Sequence, residues 1–186
     1  MKITSNTINE IFELYEKYGG VEYGESVTQL EHMVQSAELA AKEGYDEEII
    51  LAAFFHDIGH FLESPGSENN MDGYGTMHHE DLGAKYLKER GFSDKLAALV
   101  GSHVAAKRYL TYKYPDYYYS LSDASKKTLG FQGGPMQKAE AEKFENDELF
   151  PLYIKMREWD DKAKIVGYKV DSIQPYKEMC NRLMVN

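Results

Sequence analysis

Apolar residues in this chain recur at three- and four-residue steps, which is the period of amphipathic helices. Ile8, Ile11, Phe12, Leu14 and Tyr15 mark a first helix, ended by Gly19 and Gly20. Thr28 to Glu31 has capping-box spacing and opens a second helix running to Gly44, with His32 in its first turns. Asp46 caps a third helix, whose centre from Ile49 to Phe55 is apolar on every side. A helix of that composition is buried all round, and this one delivers His56 and Asp57 at its end.

Between Glu63 and Met77 the composition turns to Gly, Ser, Asn and Asp, which predicts a loop. A helix follows from about His79 to Arg90 and stops at Gly91. Ser93 caps the next, expected to run through Leu96, Leu99 and Val100 to His103 and beyond. The stretch from Tyr112 to Met136 holds Pro115, Gly130, Gly133, Gly134 and Pro135 and reads as mainly irregular, the kind of segment that often walls an active site. Helices at about Gln137–Phe144 and Leu149–Lys164, and a last one from near Ser172, complete an all-α helical bundle. Without an obvious linker or repeat, residues 1–186 are expected to form one domain with no sheet of consequence.

Charge narrows the partners. With 21 basic against 31 acidic residues, a formal charge of −10, the chain lacks the basic excess that nucleic acids and anionic membranes require. No apolar run approaches the roughly 20 residues of a membrane span. Cys180, the single cysteine, has no partner for an internal disulfide, and the opening MKITSNTINE has no signal-peptide pattern, so the expectation is a cytoplasmic protein, monomeric or a small homo-oligomer. Tyr109, Tyr112, Tyr114, Tyr117, Tyr118 and Tyr119 form a cluster that packing explains as readily as recognition, although it suits a methylated cation.

All six histidines fall between His32 and His103, most of them beside apolar helix segments. Buried imidazoles need partners for both ring nitrogens, and a metal ion on one with a hydrogen bond on the other satisfies several at once. Imidazole and carboxylate together suit iron, manganese or zinc, whereas the lack of clustered cysteine removes thiolate sites. His56 and Asp57 lie about 100° apart on a helix end, so both reach one crevice and the carboxylate can bridge two ions.

The order His32, His56–Asp57, His79, His103, Asp160, with HDIGH following an apolar helix, resembles the HD-domain superfamily over most of the chain. The two additional histidines are similar to its dinuclear branch. YGESVTQLEH, HDIGH, HVAAKRYL, LGFQGGPM and REWDDKAK resemble the mixed-valent diiron oxygenases, the group of 2-amino-1-hydroxyethylphosphonate dioxygenase and, more distantly, myo-inositol oxygenase. In that pattern His79, four residues before Gly83, is the ligand with His78 as alternative, and Asp160 is preferred to Asp161.

The resemblance implies an HD-domain bundle holding two iron ions, Fe2+/Fe3+, with O2 as co-substrate. His32, His56, Asp57 and Asp160 would hold the ferric ion, and Asp57, His79 and His103 the ferrous one. It further implies a small anionic organophosphonate, of the 1-hydroxy-2-aminoethylphosphonate type, whose carbon–phosphorus bond is cleaved with release of phosphate. Lys107, one turn beyond His103, and Arg157, three residues before Asp160, would hold the phosphonate with Ser125 as hydroxyl donor. Tyr23 and Glu25 resemble a gate, with Glu25 meeting the amine, and His60 stands one turn after His56 as an outer partner. The alternative reading is an HD-type phosphohydrolase acting on a small phosphate ester or nucleotide, since the same ligands can clamp a hydroxide between two metals.

Overall fold

The computed structural model describes residues 4–63 and 69–183, so part of the loop expected between Glu63 and Met77 lies outside the described residues. Among the described residues the chain is all-helical, and its only β-type pairing is an isolated bridge between Asn70 and Thr76. Helix α1 (Ser5–Tyr18) is capped by Thr4, and α2 (Gln29–Lys42) starts at a full capping box in which Thr28 and Glu31 satisfy each other's backbone N–H groups. Asp46 caps α3 (Glu47–Phe55), and every residue from Ile49 to Phe55 is buried, as its all-round apolar pattern requires.

This central helix is wrapped by α1, α2, α5 (Asp94–Val100) and α11 (Gln174–Leu183). Tyr15, Phe54 and Tyr176 stack in sequence, with centroids 4.6 and 4.2 Å apart, and the Tyr15 hydroxyl donates to the Phe54 carbonyl at 3.1 Å. The last turn of α3 is thereby pinned immediately before His56. Helix α10 (Phe150–Lys162) packs on α2 and on α6 (His103–Lys113), and its Trp159, fully buried, donates from Nε1 to Glu43 at 3.1 Å. That anchor fixes the turn carrying Asp160.

Two expectations need correction. The helix opened by Ser93 does not continue through His103: it stops at Val100, and Gly101 and Ser102 separate α5 from α6. The interruption leaves the Val100 carbonyl free of a helical partner, and His103 uses it. The stretch from Tyr112 to Met136 contains α7 (Tyr117–Ser120) and α8 (Asp123–Phe131) and is therefore less irregular than its glycines and prolines suggest. Ser122 caps α8 by accepting from the Ser125 N–H at 3.1 Å, a signal outweighed in the sequence by Gly130, Gly133 and Gly134, which fall in or beyond the last turn. Helices α4 (His79–Glu89) and α9 (Lys138–Glu145) lie where expected.

Candidate metal centre

Asp57 sits between α3 and the 3-10 turn Ile58–Phe61, so its side chain leaves the chain where the helix has just ended. Around it four imidazoles converge from α2, the end of α3, α4 and α6. His32 Nε2 and His56 Nε2 are 3.1 Å apart and each lies 3.6 Å from Asp57 Oδ2. His79 Nε2 and His103 Nε2 are 2.9 Å apart and each lies 3.3 Å from the other oxygen, Oδ1. Asp160 Oδ1 adds a carboxylate 3.3 Å from His32 Nε2. All six side chains are buried.

The opposite ring nitrogens decide the protonation. His56, His79 and His103 each direct Nδ1 at the carbonyl three residues back, Ala53, Thr76 and Val100, at 2.8, 3.0 and 3.1 Å, and His32 Nδ1 meets the Ala163 carbonyl at 2.9 Å. A carbonyl only accepts, so each Nδ1 carries the hydrogen, and in the neutral ring Nε2 presents the lone pair. Two bare lone pairs about 3 Å apart repel, and a proton shared between them or a metal cation before them relieves this. Two nitrogens bound to one ion at about 2.1 Å and at right angles stand about 3 Å apart. The donor set therefore fits metal binding by imidazole and carboxylate, with candidate groups His32–His56–Asp57 and Asp57–His79–His103 sharing Asp57.

Electrostatics agree with a site built for cations. Burial works against ionising Asp57, but His56, His103 and His79 outweigh it and hold its carboxyl well below the usual range. Asp160 is held down likewise, burial being overcome by Arg157 and His32. Burial disfavours protonating His32 and His79, yet Asp160 and Asp57 respectively raise both above the ordinary imidazole value. Nothing comparable rescues His56, which burial lowers to about 4.

His60 has the reverse tautomer. Its Nδ1 accepts from the Thr76 N–H at 2.9 Å, its hydrogen is on Nε2, 4.0 Å from Asp57 Oδ1, and its ring stacks on His79 with centroids 3.9 Å apart. Two glycines permit this crowding. A Cβ on Gly59 would stand 1.8 Å from the His79 carbonyl oxygen, and one on Gly75, at φ +96°, would stand 2.3 Å from the His60 ring.

The cluster opens into a cavity of about 80 Å³ whose walls include Tyr23, Glu25, His60, Lys107, Ser125 and Arg157. Lys107 is 3% exposed, and its Nζ donates to Thr128 Oγ1 at 2.8 Å and to the Ser125 carbonyl at 3.4 Å, both neutral acceptors. Burial first, then the neighbouring Arg157, lowers its pKa to about 7. Arg157 is spoken for: it donates to Asp160 Oδ2 at 2.7 Å, to the Tyr117 hydroxyl at 2.8 Å and to Asp161. Asp161 thus faces Arg157 and Tyr117 while Asp160 faces His32, and His78 is exposed while His79 joins the cluster. Lys164, Thr128, Gln132 and Tyr74 also line the cavity and were not singled out in the sequence. REWDDKAK and LGFQGGPM contain the first and third of these, so the strings held the signal.

A helical bundle gathering His, His–Asp, His, His and Asp around one buried carboxylate defines a metal-dependent HD-type protein. The profile of the HD domain family matches residues 30–133. A hydroxymethylphosphonate dioxygenase of Gimesia maris is 39% identical over 175 residues, 94% of this chain and 87% of that one. A [1-hydroxy-2-(trimethylamino)ethyl]phosphonate dioxygenase (glycine-betaine-forming) of Leisingera caerulea is 37% identical over 180 residues, 96% and 91% of the two chains. An uncharacterised protein of Acanthamoeba polyphaga mimivirus is 44% identical over 173 residues, 92% and 79% of the two. The chain belongs to the HD domain family and, within it, to the group containing these two named dioxygenases.

Proposed function

We propose that the protein is a diiron oxygenase that uses O2 to cleave the carbon–phosphorus bond of a small 1-hydroxyphosphonate. The observation that carries this reading is the pair of Nε2 couples, 3.1 and 2.9 Å wide, set against the two oxygens of Asp57. Its similarity to two phosphonate dioxygenases supplies the substrate class. By mass balance, both atoms of O2 enter the products, phosphorus leaves as phosphate and the hydroxylated carbon as a carboxylic acid. The 1-hydroxy-2-aminoethylphosphonate implied by the sequence resemblance is one member of this class.

Iron bound by His32, His56, Asp57 and Asp160 and by Asp57, His79 and His103 supplies Lewis acidity toward the substrate oxygens and the redox capacity for O2 chemistry. The chain's own groups do the rest. Lys107 Nζ and the Ser125 hydroxyl receive the phosphonate oxygens, and Lys107 has no carboxylate partner to give up in doing so. Arg157 holds Asp160 in the direction of His32. His60 keeps its Nε2–H toward Asp57, and Tyr23, its ring 4.9 Å from His60, stands at the cavity wall where it limits water. The small cavity suits a compact phosphonate better than a nucleotide.

The test is iron-loaded protein mixed anaerobically with 1-hydroxyphosphonate and then given oxygen, with iron counting, electron paramagnetic resonance, oxygen uptake and phosphate release on one sample. Equal uptake and release with a mixed-valent signal is the expected result. Phosphate released without oxygen, supported by manganese, nickel or cobalt, would establish a phosphohydrolase instead.

A further inference from the structure

The five strings that resemble the diiron oxygenases carry all of the cradle except His79, so what sets this chain's own substrate apart belongs to the cavity wall between them. Besides His79, the described wall residues outside those strings are Met71, Tyr74, Ala124, Ser125 and Thr128. The Ser125 carbonyl and the Thr128 hydroxyl hold Lys107, on the side given to the phosphonate. Met71, Tyr74 and Ala124 make up the apolar remainder. Tyr74 is the largest of the three and, unlike the fully buried Met71, reaches the rim.

Three segments of chain meet on Tyr74. It stands in a tight turn, where its N–H donates to the Met71 carbonyl and the Met71 N–H to the Gly75 carbonyl, both at 2.9 Å. Asn70 Oδ1 accepts from the Gly73 N–H at 2.6 Å, and Asp72, Gly73 and Gly75 all have positive φ, a backbone shape that few sequences allow. Thr76 ties the foot of the turn to His60. From there the Tyr74 ring lies against Gly24, where a Cβ would stand 2.3 Å from Tyr74 Cδ1, and its hydroxyl accepts from Lys127 Nζ on α8. The side chain thus spans from the Tyr23–Glu25 segment to α8. A longer ligand gains room only by breaking one of these contacts.

We propose that Tyr74, held by Lys127, limits the length of the carbon substituent on the 1-hydroxyphosphonate, whatever its charge, and so makes this enzyme selective for short substrates. The inference rests on the oxygenase reading for the phosphonate but can be measured without turnover. Methylphosphonate and butylphosphonate share the head group and differ only in alkyl length. Anaerobic calorimetry on the iron-loaded enzyme should show methylphosphonate binding about tenfold tighter, although the longer chain has more apolar surface to bury. Tyr74→Ala should shift that ratio about tenfold toward butylphosphonate, and Lys127→Met, which keeps the ring but releases it, about threefold. Tyr74→Phe loses the same hydrogen bond and should match Lys127→Met. Iron content and thermal unfolding of each variant report an intact fold, and should Tyr74→Ala not fold, the two milder variants decide. Butylphosphonate bound as tightly as methylphosphonate by the unaltered enzyme, or a ratio unmoved by Tyr74→Ala, overturns the proposal; a shift with Tyr74→Ala alone overturns the part given to Lys127. Oxygen uptake with hydroxymethylphosphonate is measured alongside: its absence defeats the oxygenase reading, while the binding ratio still judges Tyr74.

Discussion

On one side of the cavity, His56, His79 and His103 each give the Nδ1 hydrogen to a carbonyl three residues earlier, at a helix end or just before a helix. On the other, Glu25, Ser122 and Lys164 find one another across 42 to 139 residues of chain, through partly exposed side chains. Three of the cradle's four rings are thus fixed locally, each on a carbonyl of its own stretch of chain, while His32 reaches the Ala163 carbonyl 131 residues away. The facing wall is fixed only by the whole fold. Rigidity is needed where several ligands must meet one ion within tenths of an ångström. Adjustability is tolerable where a substrate is received.

The sharpest way to break that contrast is Asp57→Ala. One carboxylate serves both halves of the cradle, so its loss should remove both irons and lower kcat on the order of 10³-fold or more, about 4 kcal/mol of transition-state stabilisation. Two irons retained per chain, counted after gel filtration, would show that Asp57 is not the shared ligand. Gly59→Ala should follow in size. Its Cβ would meet the His79 backbone, an overlap no rotamer relieves, costing about 1–3 kcal/mol of stability and displacing His79. Iron should then be lost preferentially from the His79–His103 side, and a full complement with unchanged thermal unfolding would contradict it.

Substitution on the wall should act differently. Lys107→Met should leave both irons in place and raise KM by about 10–100-fold, the worth of a charge-assisted hydrogen bond of about 1.5–3 kcal/mol. A fall in kcat with unchanged KM would place Lys107 in the chemistry rather than in binding.

The same contrast explains what could be read from sequence. His56–Asp57 follows an unmistakable apolar helix, and His79 and His103 stand at helix starts, so local pattern and ligand chemistry point to the same residues. The break before His103 was hidden because Leu96, Leu99 and Val100 keep helical period up to it and Gly101 is only a modest stop signal. Helix α8 was obscured because its nine residues include the run Ser125, Lys126, Lys127 and Thr128, of which Ser125 and Thr128 line the cavity, in place of an apolar stripe. The Lys164–Glu25 pair spans 139 positions, and neither residue's surroundings in the chain announce the other.

Acid and base should attack the two sides separately, which gives the gentlest and most discriminating comparison. As pH falls, protons compete with iron for the Nε2 lone pairs, first at His32 and His79, whose carboxylate neighbours raise their affinity for a proton above the ordinary imidazole value. Iron loss measured with a chelator should therefore begin on the acid side. As pH rises through about 7, Lys107 gives up its proton in the free enzyme, because burial and Arg157 penalise its charge. The cation that would hold the phosphonate is then lost, and kcat/KM should decline toward tenfold per pH unit while iron content stays constant. Ionisation of the substrate itself is common to every variant, so Lys107→Met isolates the protein's share: its alkaline limb should be flatter than that of the unaltered enzyme and its acid limb the same. Identical alkaline limbs would mean that some group other than Lys107 meets the phosphonate.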